Sequence, residues 1–107
     1  MWTANRIMAS HWLRDNTPPE DIAMDVEPWD LHFYSDRRTV HTPSDNMERI
    51  LWVMRTYGVN YITYNDQDSL KPFFSGEIPG FKLVNEKGLR IYQVDYGKIP
   101  ISDAYRE

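Results

Sequence analysis

Residues 21–41 read DIAMDVEPWDLHFYSDRRTVH, and the way these residues are read decides the fold. Ile22–Val26 is a short apolar run, as in a buried strand. Pro28 suits the first turn of a helix, where its missing N–H costs nothing. Trp29 and Phe33 then share a face, with Leu31 and Tyr34 flanking it. One or two helical turns fit before Ser35-Asp36, a pair suited to a turn. Residues 37–41 return to extended geometry and stop at Thr42-Pro43. Strand, short helix, strand predicts a parallel crossover unit and hence an α/β domain.

The flanks extend that pattern. Upstream, a helix is expected over about Thr3–Asn16, with Ile7, Met8, His11 and Trp12 on one face. Thr17-Pro18-Pro19 ends it. Downstream, Asp45–Tyr57 is the clearest helix. Asp45 with Glu48 resembles a capping box, with Ser44 as the rival cap. Met47, Ile50, Leu51, Met54 and Tyr57 form its apolar stripe, and Gly58 stops it. A third strand is expected over 59–64, then a helical turn directing Leu70, Phe73 and Phe74 inward. Phe81–Asn85 and Leu89–Asp95 alternate on either side of a turn ending in Gly88, which predicts a hairpin. From Gly97 onward a loosely held tail is expected. The whole reads as one domain over residues 1–107. It is expected to be a small layered α/β sandwich with a mostly parallel, Rossmann-like sheet and a C-terminal β-hairpin at one edge.

Composition narrows the function. A chain of 107 residues buries roughly 60–70% of its extended surface on folding, enough for a core without crosslinks, so the absence of cysteine removes nothing needed. It also says nothing of the compartment. A formal charge of −4 argues against a nucleic-acid partner, which needs clustered cations. Four tryptophans and seven tyrosines supply buried area to a core short of aliphatic residues, and equally suit interfaces and sugar faces. No apolar run approaches the ~20 residues of a membrane span. The opening residues pass straight into helical pattern, as in a segment cut from a longer protein.

Candidate chemistry is sparse. His11 and Asp15 lie one helical turn apart and could share a metal, while His11 could equally cover the core edge beside Trp12. Asp30 and His32 could reach a metal only from a bent segment. No zinc-ligand spacing occurs, so no metal or cofactor is expected. The acidic pairs Asp25/Glu27 and Asp66/Asp68 have no spacing that makes them a glycosidase couple. Nucleophile-elbow, dinucleotide and phosphate-loop motifs are absent. The loop 25–30, DVEPWD, is a poor phosphate cradle. Arg37 and Arg38 enter a strand with opposite side-chain directions. One can face solvent; the other crosses toward the sheet and needs a carboxylate such as Asp25 or Glu27. The pair reads as a salt bridge tying the short helix to the sheet, or as a ligand contact. In the second reading Trp29, Tyr34, Arg37 and Arg38 grip an anionic or sugar ligand.

A wider pattern covers Trp12–Thr63: Trp12-Leu13, Thr17-Pro18-Pro19, Pro28, Phe33-Tyr34-Ser35, Arg37 or Arg38, Val40, Pro43 and Tyr57-Gly58-Val59-Asn60-Tyr61-Ile62, with a closing 88–94 GLRIYQV. It resembles the soluble tail of multi-pass membrane glycosyltransferases, namely the dolichyl-phosphate-mannose–protein mannosyltransferases and the aminoarabinose transferases of lipid A. The resemblance implies an integral-membrane parent with a polyprenyl-phosphate-linked sugar donor. It implies that this domain follows the last transmembrane helix, on the extracytoplasmic side. Its partners would be the transmembrane portion of the same polypeptide and a lipid-linked sugar or acceptor. Catalytic acids in that family lie in the membrane part, so no catalytic residue is carried over, and the domain alone is expected to be inert. Trp2 and Trp12 would suit a membrane interface or ordinary packing.

Overall fold

The computed structural model describes residues 2–100, with side chains from residue 4 onward. The ten elements begin with α1 (Trp2–Asn16), β1 (Ile22–Asp25), α2 (Pro28–Ser35), β2 (Arg38–His41), α3 (Met47–Tyr57) and β3 (Tyr61–Thr63). A 3₁₀ turn (Asp68–Leu70), α4 (Lys71–Phe74), β4 (Phe81–Asn85) and β5 (Ile91–Val94) complete the set. The sheet has five strands in the order β2-β1-β3-β5-β4. β1 pairs in parallel with β2 and β3, whereas β5 runs antiparallel to both β3 and β4. The sheet is therefore mixed. The hairpin stands at one edge as expected, with β5 turned inward against β3 and β4 outermost.

The sheet sends side chains into two apolar clusters, because successive residues of a strand point to opposite faces. Met24, Ile62 and Tyr92 join Ile50, Leu51 and Met54 of α3 and Phe73 of α4. Ala23, Tyr61 and Ile91 join Ala9 and Leu13 of α1 and Leu31 of α2. Phe73 stacks on Phe81 at 4.7 Å between ring centroids. Leu70 and Phe73 point inward as expected; Phe74 is half-buried.

Several local expectations are corrected. On α1 the buried face is Arg6, Ala9, Ser10, Leu13 and then Thr17, while Met8 is exposed and Ile7, His11 and Trp12 are half-buried. The small Ala9 and Ser10 are fully buried and α1 lies close along α2, so the packed stripe is shifted from the most apolar one. Asn46 caps α3: its Oδ1 accepts from the Arg49 N–H at 2.9 Å. That places Arg49, not Glu48, at the position a capping box needs, so neither the Asp45 box nor the Ser44 cap forms. Gly58 ends α3 at φ +66, as its lack of a Cβ allows. Ile99 is buried in the α3 cluster, so the chain stays packed through residue 99; residues 101–107, the rest of the expected tail, lie outside the described residues, as does the Trp2 side chain. Gly88, at φ +78, sits where a Cβ would fall 2.4 Å from the Asn5 carbonyl oxygen. The hairpin turn thus touches α1 backbone to backbone.

Tyr96 closes the far end of α3. Its hydroxyl donates toward the carbonyls of Met54 at 3.0 Å and Val59 at 2.6 Å, and Arg55 lies over its ring. Burial pushes its pKa up to about 12, with the Arg55 charge pulling the other way. The folded value lies above the ordinary tyrosine value of about 10, so the neutral form is favoured in the fold. Its stabilisation is whole below about pH 10 and is lost as pH rises toward 12. Tyr61 shifts in the same direction, through burial first and the Asp21 charge second. Melting temperature should therefore fall across that alkaline window, and Tyr96→Phe should flatten part of the fall. Identical slopes for the two proteins would remove Tyr96 from the account.

Candidate functional site

Two polar constellations stand out, one buried and one at the surface. The buried one lies at the carboxyl ends of β1 and β3, where the strand order reverses around β1. In open α/β sheets this is the place where ligands gather. Asp25 ends β1 and is fully buried. Thr63 ends β3, and its hydroxyl donates to Asp25 Oδ1 at 2.5 Å. Arg6 reaches down from α1, also buried, and forms an ion pair with Asp25 Oδ2. Arg6 also donates to the Glu27 carbonyl at 3.4 Å. Burial lowers the pKa of its guanidinium, and the charges of Glu27 and Asp30 oppose that shift. Here Asp25 is committed to a charge partner and a hydroxyl, and α1 covers the point at which a ligand would enter.

Arg37 is buried at 6% exposure, but no carboxylate among the described residues forms an ion pair with it. Its guanidinium donates to Thr17 Oγ1 at 2.9 Å and to the carbonyls of Arg14 at 2.9 Å, Thr17 at 2.6 Å and Asp36 at 3.2 Å. These include carbonyls at the end of α1, which carry the negative end of the helix dipole. The expected salt bridge from one of the two arginines to Asp25 or Glu27 does not form among the described residues: Arg37 caps α1, and Arg38 is exposed. Asp25 has the more distant Arg6 instead.

The surface constellation is a groove of about 400 Å³ between α2 and the edge strand β2, lined by Pro28, Trp29, His32, Arg38 and Thr39. Trp29 and His32 come from one face of α2, three residues apart. Trp29 is 84% exposed. The hydroxyl of Thr39 donates to the Pro28 carbonyl at 2.8 Å and ties β2 to the start of α2. His32 Nδ1 lies 2.7 Å from the Arg37 carbonyl. A carbonyl only accepts, so Nδ1 carries the hydrogen. Arg38 is exposed, and its side chain has no ion-pair partner among the described residues.

The four ligand-gripping candidates are thus divided. Trp29 and Arg38 share the groove. Arg37 is used inside the fold, and Tyr34 lies elsewhere, edge-on to His11 and Phe33. His32 and Thr39 join the groove without having been grouped with Trp29 on sequence grounds. The three-residue step from Trp29 to His32 on a helix was the available signal; Thr39 had none. Asp15 pairs with Arg14 at 2.9 Å, and Asp68 with Lys71 at 2.7 Å. Among the described residues no group of three or more His, Cys, Asp or Glu converges as a metal site, and no helix is long and apolar enough to cross a membrane. No family model matches the chain, and no curated protein is significantly similar to it.

Proposed function

We propose that this chain is the extracytoplasmic accessory domain of a membrane glycosyltransferase that draws on a polyprenyl-phosphate-linked sugar, with catalysis carried by the transmembrane portion of the same polypeptide. The sequence pattern across Trp12–Thr63 supports the family. The structural observation that carries the accessory role is the closed end of the sheet. Arg6, Asp25 and Thr63 fill the switch point with an internal ion pair, where a catalytic α/β domain keeps a cleft. In this reading the layering is Rossmann-like in outline, without that fold's phosphate loop, and the domain supports chemistry done elsewhere. Trp29 and Phe33, at 84% and 78% exposure, give α2 an apolar outer face suited to contact.

The gene sequence upstream of Met1 tests this directly. A succession of apolar spans is expected there; a free-standing reading frame without them overturns the assignment. The purified 107-residue chain is expected to turn over no phosphosugar, and turnover would overturn the non-catalytic role. The groove between α2 and β2 favours a second reading, a free-standing α/β module for an anionic or sugar ligand.

A further inference from the structure

We propose that the groove between α2 and β2 is a binding site for a glycosyl phosphate, with the sugar against Trp29 and His32 and the phosphate at Arg38. Its volume of about 400 Å³ falls in the lower part of the range for small-molecule sites, about 300–1,000 Å³. Trp29 offers a flat, exposed ring whose electron-rich face suits the C–H face of a pyranose. Arg38 offers a planar fork of donors, the geometry that matches phosphate oxygens. Its charge is not spent on an acid among the described residues. His32 is fixed by its Nδ1–H to the Arg37 carbonyl, which leaves Nε2 as an acceptor for a sugar hydroxyl. Thr39 has used its one proton on the Pro28 carbonyl, so its oxygen remains as an acceptor for a sugar hydroxyl.

Two features make this a prepared surface. Both walls are tied together by the Thr39–Pro28 hydrogen bond, and the His32 ring is held in one orientation, so these two residues need little ordering on binding. The nearest acids on the β1–α2 segment, Glu27 and Asp30, do not line the groove, and both exert their charge on Arg6. Free hexose phosphate and the head group of a lipid-linked sugar share this chemistry. The site belongs to the domain itself and stands whether or not a membrane portion precedes it. A gene lacking upstream spans would remove the accessory-domain reading and leave the groove untouched.

The test is a titration of the isotopically labelled chain, followed by amide and indole resonances. Mannose 1-phosphate is expected to shift the Trp29 indole and the amides of His32, Arg38 and Thr39, with a millimolar dissociation constant. Methyl mannoside and inorganic phosphate should each bind several-fold more weakly. Trp29→Ala and Arg38→Ala should each weaken mannose 1-phosphate by about tenfold, and both positions are exposed, so the fold survives. A parallel arm uses neutral phosphatidylcholine vesicles with and without a polyprenyl-phosphate-linked mannose. Binding that requires the linked sugar supports the lipid-borne source, and free mannose 1-phosphate binding alone supports the soluble one. Three results overturn the proposal: no shifts at the groove; equal affinity for inorganic phosphate and mannose 1-phosphate; or adsorption to bare vesicles through Trp29 and Phe33 with no effect of the sugar phosphate.

Discussion

Arg6→Met should lower the unfolding free energy by about 3–5 kcal/mol, because it leaves Asp25 buried as a carboxylate without an opposite charge. Asp25 is fully buried and Arg6 nearly so, so water cannot replace the missing partner cheaply. Thr63 continues to donate to Asp25, but one hydroxyl does not offset a buried charge. Asp25→Leu should cost a similar amount by leaving the guanidinium of Arg6 without its carboxylate. The double variant, Arg6→Met with Asp25→Leu, should cost less than either single change, since neither charge of the buried pair is then left without the other. Thr63 keeps an acceptor in that background, the Met24 carbonyl at 3.4 Å. Urea midpoints at constant slope measure all three. Additive single-site costs in the double variant would show that the two side chains act independently and that the ion pair is not the unit holding α1 to the sheet.

That ion pair also shows where sequence reading stops. The run Ile22–Val26, the proline at 28 and the turn at Ser35-Asp36 were enough to predict β1, α2, β2 and their parallel pairing. Periodicity and Gly58 did the same for α3, and alternation did so for the hairpin. These signals are local. The partner of Asp25 is not local: Arg6 lies nineteen positions upstream, on a helix face that looked polar in sequence. A one-dimensional pattern ranks faces by hydrophobicity, whereas α1 packs by size, burying Ala9 and Ser10 where it lies along α2. Likewise the inward strand order of the hairpin follows from pairing between β3 and β5, which no periodicity within either strand encodes.

The candidate site divides along the same line. Trp29 could be singled out because a large aromatic at the start of a short helix is conspicuous. Arg37 and Arg38 could be separated only as opposite faces of a strand, with no indication of which face was which. The deciding fact is tertiary. α1 ends beside the α2–β2 turn, and its carbonyls claim the first arginine. The second arginine is left to the groove. Adjacent residues of the same type thereby acquire opposite roles, one structural and one available to a ligand.

The consequence is a sharp contrast between two neighbouring substitutions. Arg37→Ala should destabilise the protein by about 3 kcal/mol, since it removes a charged donor from several acceptors at a buried helix end. The Thr17 hydroxyl and the carbonyls of Arg14 and Thr17 lose it together. The Thr17 hydroxyl can still donate to the Leu13 carbonyl at 2.6 Å, so α1 should fray at its end and remain helical elsewhere. Arg37→Lys should recover little, because a single ammonium cannot serve Thr17 Oγ1 and two carbonyls from the positions that the planar fork occupies. Arg38→Ala should leave the urea midpoint where it was, because its side chain is exposed and unpaired among the described residues. Hydrogen exchange locates the effect: protection lost in the last turn of α1 for Arg37→Ala, and unchanged for Arg38→Ala. Equal destabilisation by the two would mean that neither guanidinium caps α1, and the assignment of Arg37 to the fold and Arg38 to the groove would fail with it.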